Sequence, residues 1–202
     1  MGKGSRENAD KHLSPTPMHP LANALGFQLG WWAIVLSVSR GWDLLAVLLA
    51  GLLTIGHLRW SQTPRADLQL GVAVVCLGIG VDSLLQYLSI IHFRGWSFWH
   101  LSPPWLWALW WLFSLTLHSS LGFLQRLSWP WRALIGGVPA AASYLGGAAL
   151  GAAAMDVSIR TLVALALAWM VALPVAVWMA TLSHGTRTPS KPLNAESQCP
   201  DM

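Results

Sequence analysis

The residue with the clearest claim to chemistry is Asp82, which stands inside the apolar run LGVAVVCLGIGVDSLLQYLSII (70–91). Gly71, Gly78, Asp82, Gln86 and Ser89 recur at helical spacing, so they share one small and polar face on a Val/Leu background. At 1.5 Å per residue, Asp82 is about 4 Å from the centre of a span placed at 68–91. An ionised carboxylate at that depth costs about 2.5–3.5 kcal/mol on insertion scales, and such residues are functional by default. The alternative is a protonated, hydrogen-bonded clamp between helices. Partners come from His57, from His118 with Ser119 and Ser120, and from Tyr144 with Ser143. Asp82, His118 and Tyr144 are the candidates for acid–base or proton chemistry, and Gln86 and His57 the candidates for substrate binding. A Ser-His-Asp relay has little support, because Asp82 and His118 are about 10 Å apart along the membrane normal on the same rise. Nothing fixes a lateral geometry for a two-histidine metal site either, and a lone intramembrane histidine is more often a packing residue. His92 and His100 read as interfacial. No metal and no cofactor is called for.

These residues need helices in a bilayer to position them. Of the 202 residues, 54% are hydrophobic and 10% charged, with a mean hydropathy of +0.51. Soluble domains carry about 25% charged residues, so this chain lacks the ions to coat a water-facing surface. Disorder, collagen, coiled coil and a disulfide scaffold are excluded on the same grounds. The net charge of +4 does not point to nucleic acid, since the basic residues lie singly between apolar runs. Cys76, within an apolar run, and Cys199, near the C-terminus, are badly placed for a disulfide or a metal site.

The pattern predicts an all-α polytopic membrane protein, a bundle of about six transmembrane helices at 21–39, 42–59, 68–91, 104–124, 133–155 and 159–182. Each stretch suits a core of about 30 Å, which needs about 17–25 helical residues. A polar, proline-punctuated lead over 1–20 and a polar tail over 183–202 are expected to be disordered. The first stretch is longer than a signal-peptide core and contains Gln28 and Trp31-Trp32, which favours a retained span over cleavage near Ser37-Val-Ser39. Nine basic residues (Lys3, Arg6, Lys11, Arg59, Arg65, Arg126, Arg132, Arg187, Lys191) fall on one side and three (Arg40, Arg94, Arg160) on the other. Both termini are therefore expected in the cytoplasm.

Trp42, Trp60, Trp96, Trp99, Trp105, Trp129 and Trp131 flank the spans and read as interface anchors. The alternative use of such rings is stacking on a lipid or isoprenoid. The fifth span, GGVPAAASYLGGAALGAAA (136–154), is built of small residues, with a GxxxG at Gly147 and Gly151 extended by Ala140 and Ser143. Gly147 is expected at a close helix contact, and Leu165 toward lipid or loose packing. A second GxxxG, Gly26 and Gly30, leaves a homo-oligomer open, with packing inside one chain the favoured use.

FQLGWWAIVL (27–36), VDSLLQYLSII (81–91), PPWLWALWWLFSLTLHSSL (103–121) and GGVPAAASYLGGAALGA (136–152) follow one another in the order found in domain-of-unknown-function family 2878, which the chain resembles over 21–182. The family's fifth-span pattern is Gly-Pro-Leu-Ser-Tyr, from which Val138-Pro139-Ala140-Ala141-Ala142-Ser143-Tyr144 departs. The resemblance implies a small multi-pass protein of the bacterial inner membrane without an established activity. It also implies lipid-modifying enzymes as partners, those acting on fatty acyl chains, such as cyclopropane-fatty-acid synthases. Three readings stay open: service in lipid or fatty-acyl modification, as enzyme or as an enzyme's partner; a small transporter with Asp82 as proton or cation site; and a structural scaffold. In the first, Asp82, Gln86, His118 and Tyr144 line one intramembrane pocket.

Overall fold

The computed structural model describes residues 19–184. The expected polar lead and tail lie outside the described residues, apart from His19, Pro20, Ser183 and His184, and so does Cys199. The described fold holds six α-helices: α1 (Pro20–Ser39), α2 (Asp43–Trp60), α3 (Pro64–Tyr87), α4 (Pro104–Ser114), α5 (Trp129–Ala149) and α6 (Ile159–His184). Four of them begin with a proline at the first or second position, where the missing N–H costs no intrahelical bond. α1, α2, α3 and α6 are long and apolar enough to cross a membrane.

α3 packs on α4 and α6, α1 on α2, and α5 on α6. At one end, β1 (His92–Phe93) pairs antiparallel with β2 (Ala153–Ala154), His92 opposite Ala154 and Phe93 opposite Ala153. That short ladder ties the connection before α4 to the one after α5.

The fourth stretch departs from the expected single helix over 104–124. α4 stops at Ser114, and the chain continues through turns into a 3-10 segment, Gly122–Arg126. The hydroxyls of Ser114 and Thr116 donate to the carbonyls of Trp111 and Phe113 at 2.6 Å each, and so compete with the next helical bonds. Irregular backbone is tolerated at membrane depth only when protein buries it. Here Leu115, Thr116, Leu117 and Leu124 are all buried. Gln125 donates to the carbonyl of Leu117, and Arg132 to those of Leu124 and Gln125, at 2.9–3.0 Å.

The limits of two helices also move. α3 runs from Pro64 to Tyr87 rather than over 68–91, because Ser89 adopts a left-handed φ of 55° beyond its end. Asp82 is therefore about 10 Å from the middle of its helix, not about 4 Å. α5 ends at Ala149, and Gly151, at φ 84°, turns the chain toward β2. Gly147 and Gly151 thus share no helical face.

The close α5–α6 contact lies instead at Gly136 and Gly137. A Cβ on Gly136 would stand 2.6 Å from the Trp169 carbonyl oxygen, and one on Gly137 3.0 Å from Met170 Cγ. A Cβ on Gly147 would meet nothing within 4 Å, while Leu165 is fully buried; both expectations for that pair are overturned. In α1, Gly30 packs against Leu53 and Leu112 of the same chain.

Candidate functional site

Asp82 is fully buried and each of its oxygens accepts one hydrogen bond. Trp110 Nε1–H donates to Oδ2 at 2.7 Å, and the Tyr144 hydroxyl donates to Oδ1 at 2.5 Å. Trp169 Nε1–H donates in turn to the Tyr144 oxygen at 3.2 Å. The site thus joins α3, α4, α5 and α6 through one carboxylate. Among the described residues no Lys, Arg or His forms an ion pair with Asp82.

The indoles of Trp110 and Trp169 are stacked, with centroids 4.7 Å apart and planes 10° from parallel. Gly78, one turn before Asp82, makes room for this arrangement: a Cβ there would overlap the Trp110 ring. Gly71 does the same for Trp111, whose ring lies 2.8 Å from the position a Cβ would take. The small face of α3 is thereby explained as a bed for the tryptophans of α4.

Beside Asp82 lies a cavity of about 90 Å³. Its walls are mainly apolar and aromatic, Phe27, Trp31, Phe93, Trp105 and Phe113 among them, and its polar groups are Asp82, Ser143 and Tyr144. An aspartic acid and a phenol in direct contact at a cavity wall can hold a proton between them and offer it to a bound molecule. Of the sequence candidates, Asp82 and Tyr144 meet here. Gln86, half-buried in the last turn of α3, does not line the cavity.

His57 and His118 converge elsewhere, on Asp67, which is 3% exposed. His118 Nδ1 is 2.8 Å from Asp67 Oδ1, His57 Nε2 is 3.3 Å from Oδ2, and the Ser61 hydroxyl donates to Oδ2 at 2.5 Å. The expected pocket shared by Asp82, Gln86, His118 and Tyr144 is therefore not formed. The reason is axial: fifteen residues of α3 place Asp67 about 22 Å from Asp82. Ser183 Oγ is 3.0 Å from His118 Nε2, which repeats the order of a Ser-His-Asp relay. Its hydroxyl, however, also donates to the Ala180 carbonyl at 2.9 Å, and His118 Nε2 stands 3.2 Å from the same oxygen. The Ser183 proton is thus directed to a backbone carbonyl, which only accepts, and not to the imidazole as a relay requires.

Residues 20–175 match the family described as protein of unknown function (DUF2878). The chain belongs to that family. No curated protein and no solved structure matches it. The DUF2878 region contains the whole Asp82 cluster and, Ala180 and Ser183 excepted, the whole Asp67 cluster. Within this DUF2878 fold, sequence reasoning missed Asp67, Trp110 and Trp169. Asp67 falls just outside a span drawn from residue 68. Trp105, read as an interface anchor, is buried and donates to the Arg94 carbonyl at 2.8 Å. Trp110 and Trp169 lie well inside their stretches, where an interface role cannot apply; that position was the available signal. His92 and His100 are exposed, and no group of three or more His, Cys, Asp or Glu among the described residues is arranged to hold a metal ion.

Proposed function

We propose that this chain is a multi-pass protein of the bacterial inner membrane, with both termini cytoplasmic, which receives the apolar chain of a lipid in the Asp82 cavity. It serves membrane-lipid or fatty-acyl modification, as the enzyme itself or as the membrane partner of one. The observation that carries this reading is a buried carboxylate–phenol pair opening on an aromatic-walled cavity. Dry cavities of about 150 Å³ accept benzene; the Asp82 cavity, at about 90 Å³, is smaller and suits the end of a hydrocarbon chain. Asp82 and Tyr144 then supply or withdraw a proton at the chain, with Trp110 and Trp169 fixing their orientation.

A second reading, a proton- or cation-coupled protein, draws on the neutrality of both donors to Asp82. A cation entering the cavity would find a carboxylate without a competing counter-ion.

The test is complementation of a deletion strain with Asp82→Asn, read by whole-cell lipid composition and by thermal stability of the purified variant. The deletion is expected to alter acyl composition, and the stable variant to leave it altered. A deletion without lipid change would refute the lipid reading. Full restoration by a folded Asp82→Asn would reduce Asp82 to a clamp and leave the scaffold reading in front.

A further inference from the structure

A second cavity, of about 230 Å³, lies between α1 and α2, lined by Asn23, Gly26, Phe27, Leu53, Gly56 and His57 among others. We propose that it binds a neutral amphiphile, a long-chain alcohol or hydroxyl-bearing neutral lipid, whose hydroxyl donates to His57 Nδ1. This site goes beyond the Asp82 reading and does not depend on it.

The polar end is oriented by hydrogen bonds that leave little choice. The Ser120 backbone N–H and hydroxyl both approach Asn23 Oδ1, at 3.4 and 2.7 Å. A backbone N–H can only donate, so the Asn23 amide is fixed with its oxygen toward Ser120. Its Nδ2 then donates to the Leu115 carbonyl at 3.3 Å and to His57 Nδ1 at 3.4 Å. His57 therefore presents a lone pair on Nδ1 and carries its proton on Nε2, which donates to Asp67 Oδ2 at 3.3 Å. A carboxylate behind one ring nitrogen orients the imidazole and strengthens the other nitrogen as an acceptor. The 3.4 Å contact from Asn23 is long for a hydrogen bond. A ligand O–H at about 2.8 Å replaces it with a better bond.

Charge narrows the ligand class. Among the described residues no Lys or Arg lines the cavity, and Asp67 stands directly behind His57. A fatty acid or a phosphate headgroup would meet no counter-charge and one like charge; a hydroxyl meets neither objection. Direction narrows it further. Asn23 lies one turn from the start of α1 and His57 one turn from the end of α2, while Phe27 and Leu53 lie deeper. The ligand's polar end thus sits near the helix ends and its chain runs toward the helix middles, as lipids lie in a bilayer. Added Cβ atoms on Gly26 and Gly56 would meet nothing within 4 Å, so the space between the helices is open at both.

The test uses the full chain in zwitterionic phospholipid nanodiscs and three diazirine probes of equal length: a long-chain alcohol, its methyl ether and the matching fatty acid. Crosslinks are mapped by peptide mass spectrometry. The alcohol is expected to label residues 22–27 and 52–60 about 2- to 10-fold more than the ether, the factor that one neutral hydrogen bond supplies. Gly56→Leu should abolish that labelling, whereas Gly80→Leu, where an added Cβ also meets nothing within 4 Å, and Asp82→Asn should leave it unchanged. His57→Phe should keep labelling but erase the preference for alcohol; if that variant does not fold, the wild-type ratio and Gly56→Leu decide. Equal labelling by alcohol and ether, preference for the acid, or labelling unaffected by Gly56→Leu would each overturn the proposal.

Discussion

Replacing Gly78 by alanine is expected to destabilise the protein, whereas the same change at Gly80, two residues along α3, is not. At Gly78 the new methyl would overlap the Trp110 ring; at Gly80 it would meet nothing within 4 Å. Trp110 has no easy retreat, because its other face stacks on Trp169 at 4.7 Å and its Nε1–H is committed to Asp82 at 2.7 Å. Overpacking of a well-filled core costs about 1–3 kcal/mol. If the ring moves far enough to release Asp82, a hydrogen bond to a charged group adds about 1.5–3 kcal/mol. In the exposed position, Gly→Ala favours the helix by up to about 1 kcal/mol in water. The two variants should thus differ by about 2–4 kcal/mol, in opposite directions from wild type. Thermal unfolding in detergent measures the difference, and near-UV circular dichroism reports on the stacked indoles, which only Gly78→Ala should perturb. Equal melting temperatures, with the indole signal intact in both, would refute the placement of Trp110 on Gly78 and the geometry of the Asp82 site with it.

Leu165→Ala should lower stability by about 2–5 kcal/mol, the cost of a cavity in a packed core, since Leu165 is fully buried with Leu85 and Ile91. Gly147→Ala should be close to neutral, because its methyl projects into open space beside the Asp82 cavity; comparable losses in detergent unfolding would contradict this. For topology, a reporter active only in the cytoplasm should work when fused after Leu182 and stay silent in the 92–103 connection, as the nine-to-three distribution of basic residues requires. The reverse pattern would invert the orientation.

Where this protein's residues fold, and in what form, was legible from one-dimensional signals. Helices spaced along an apolar chain leave their mark in runs of Leu, Val and Ala and in the dearth of charge. Asp82 was legible too, because a carboxylate within such a run is anomalous by itself. Tyr144 was legible as one of several polar groups that could answer it. The helix limits were read less well: the break after Ser114 rests on hydroxyls bonding back to the chain, and the stop at Ala149 on the positive φ of Gly151, both local choices that hydropathy does not register.

Which polar group meets which was decided only in three dimensions. His57 and His118 were candidates for Asp82, yet they converge on Asp67, since pairing needs the same depth as well as facing sides, and a shift of four residues in a helix limit moves depth by about 6 Å. Trp110 and Trp169 carry the same composition signal as the interfacial tryptophans. Their position inside the apolar stretches separates them from the flanking tryptophans, but only packing against Gly78 shows that Trp110 donates to a buried carboxylate. The same holds for small residues: Gly136 and Gly137 touch α6 while Gly147 borders a cavity, and sequence cannot separate the two cases because a glycine records that space is limited or left open without saying which. Sequence determined the inventory of helices and ionisable groups, since these follow from transfer free energies of single residues; the tertiary structure assigned partners, because a hydrogen bond depends on the relative depth and rotation of two helices, which no one segment encodes.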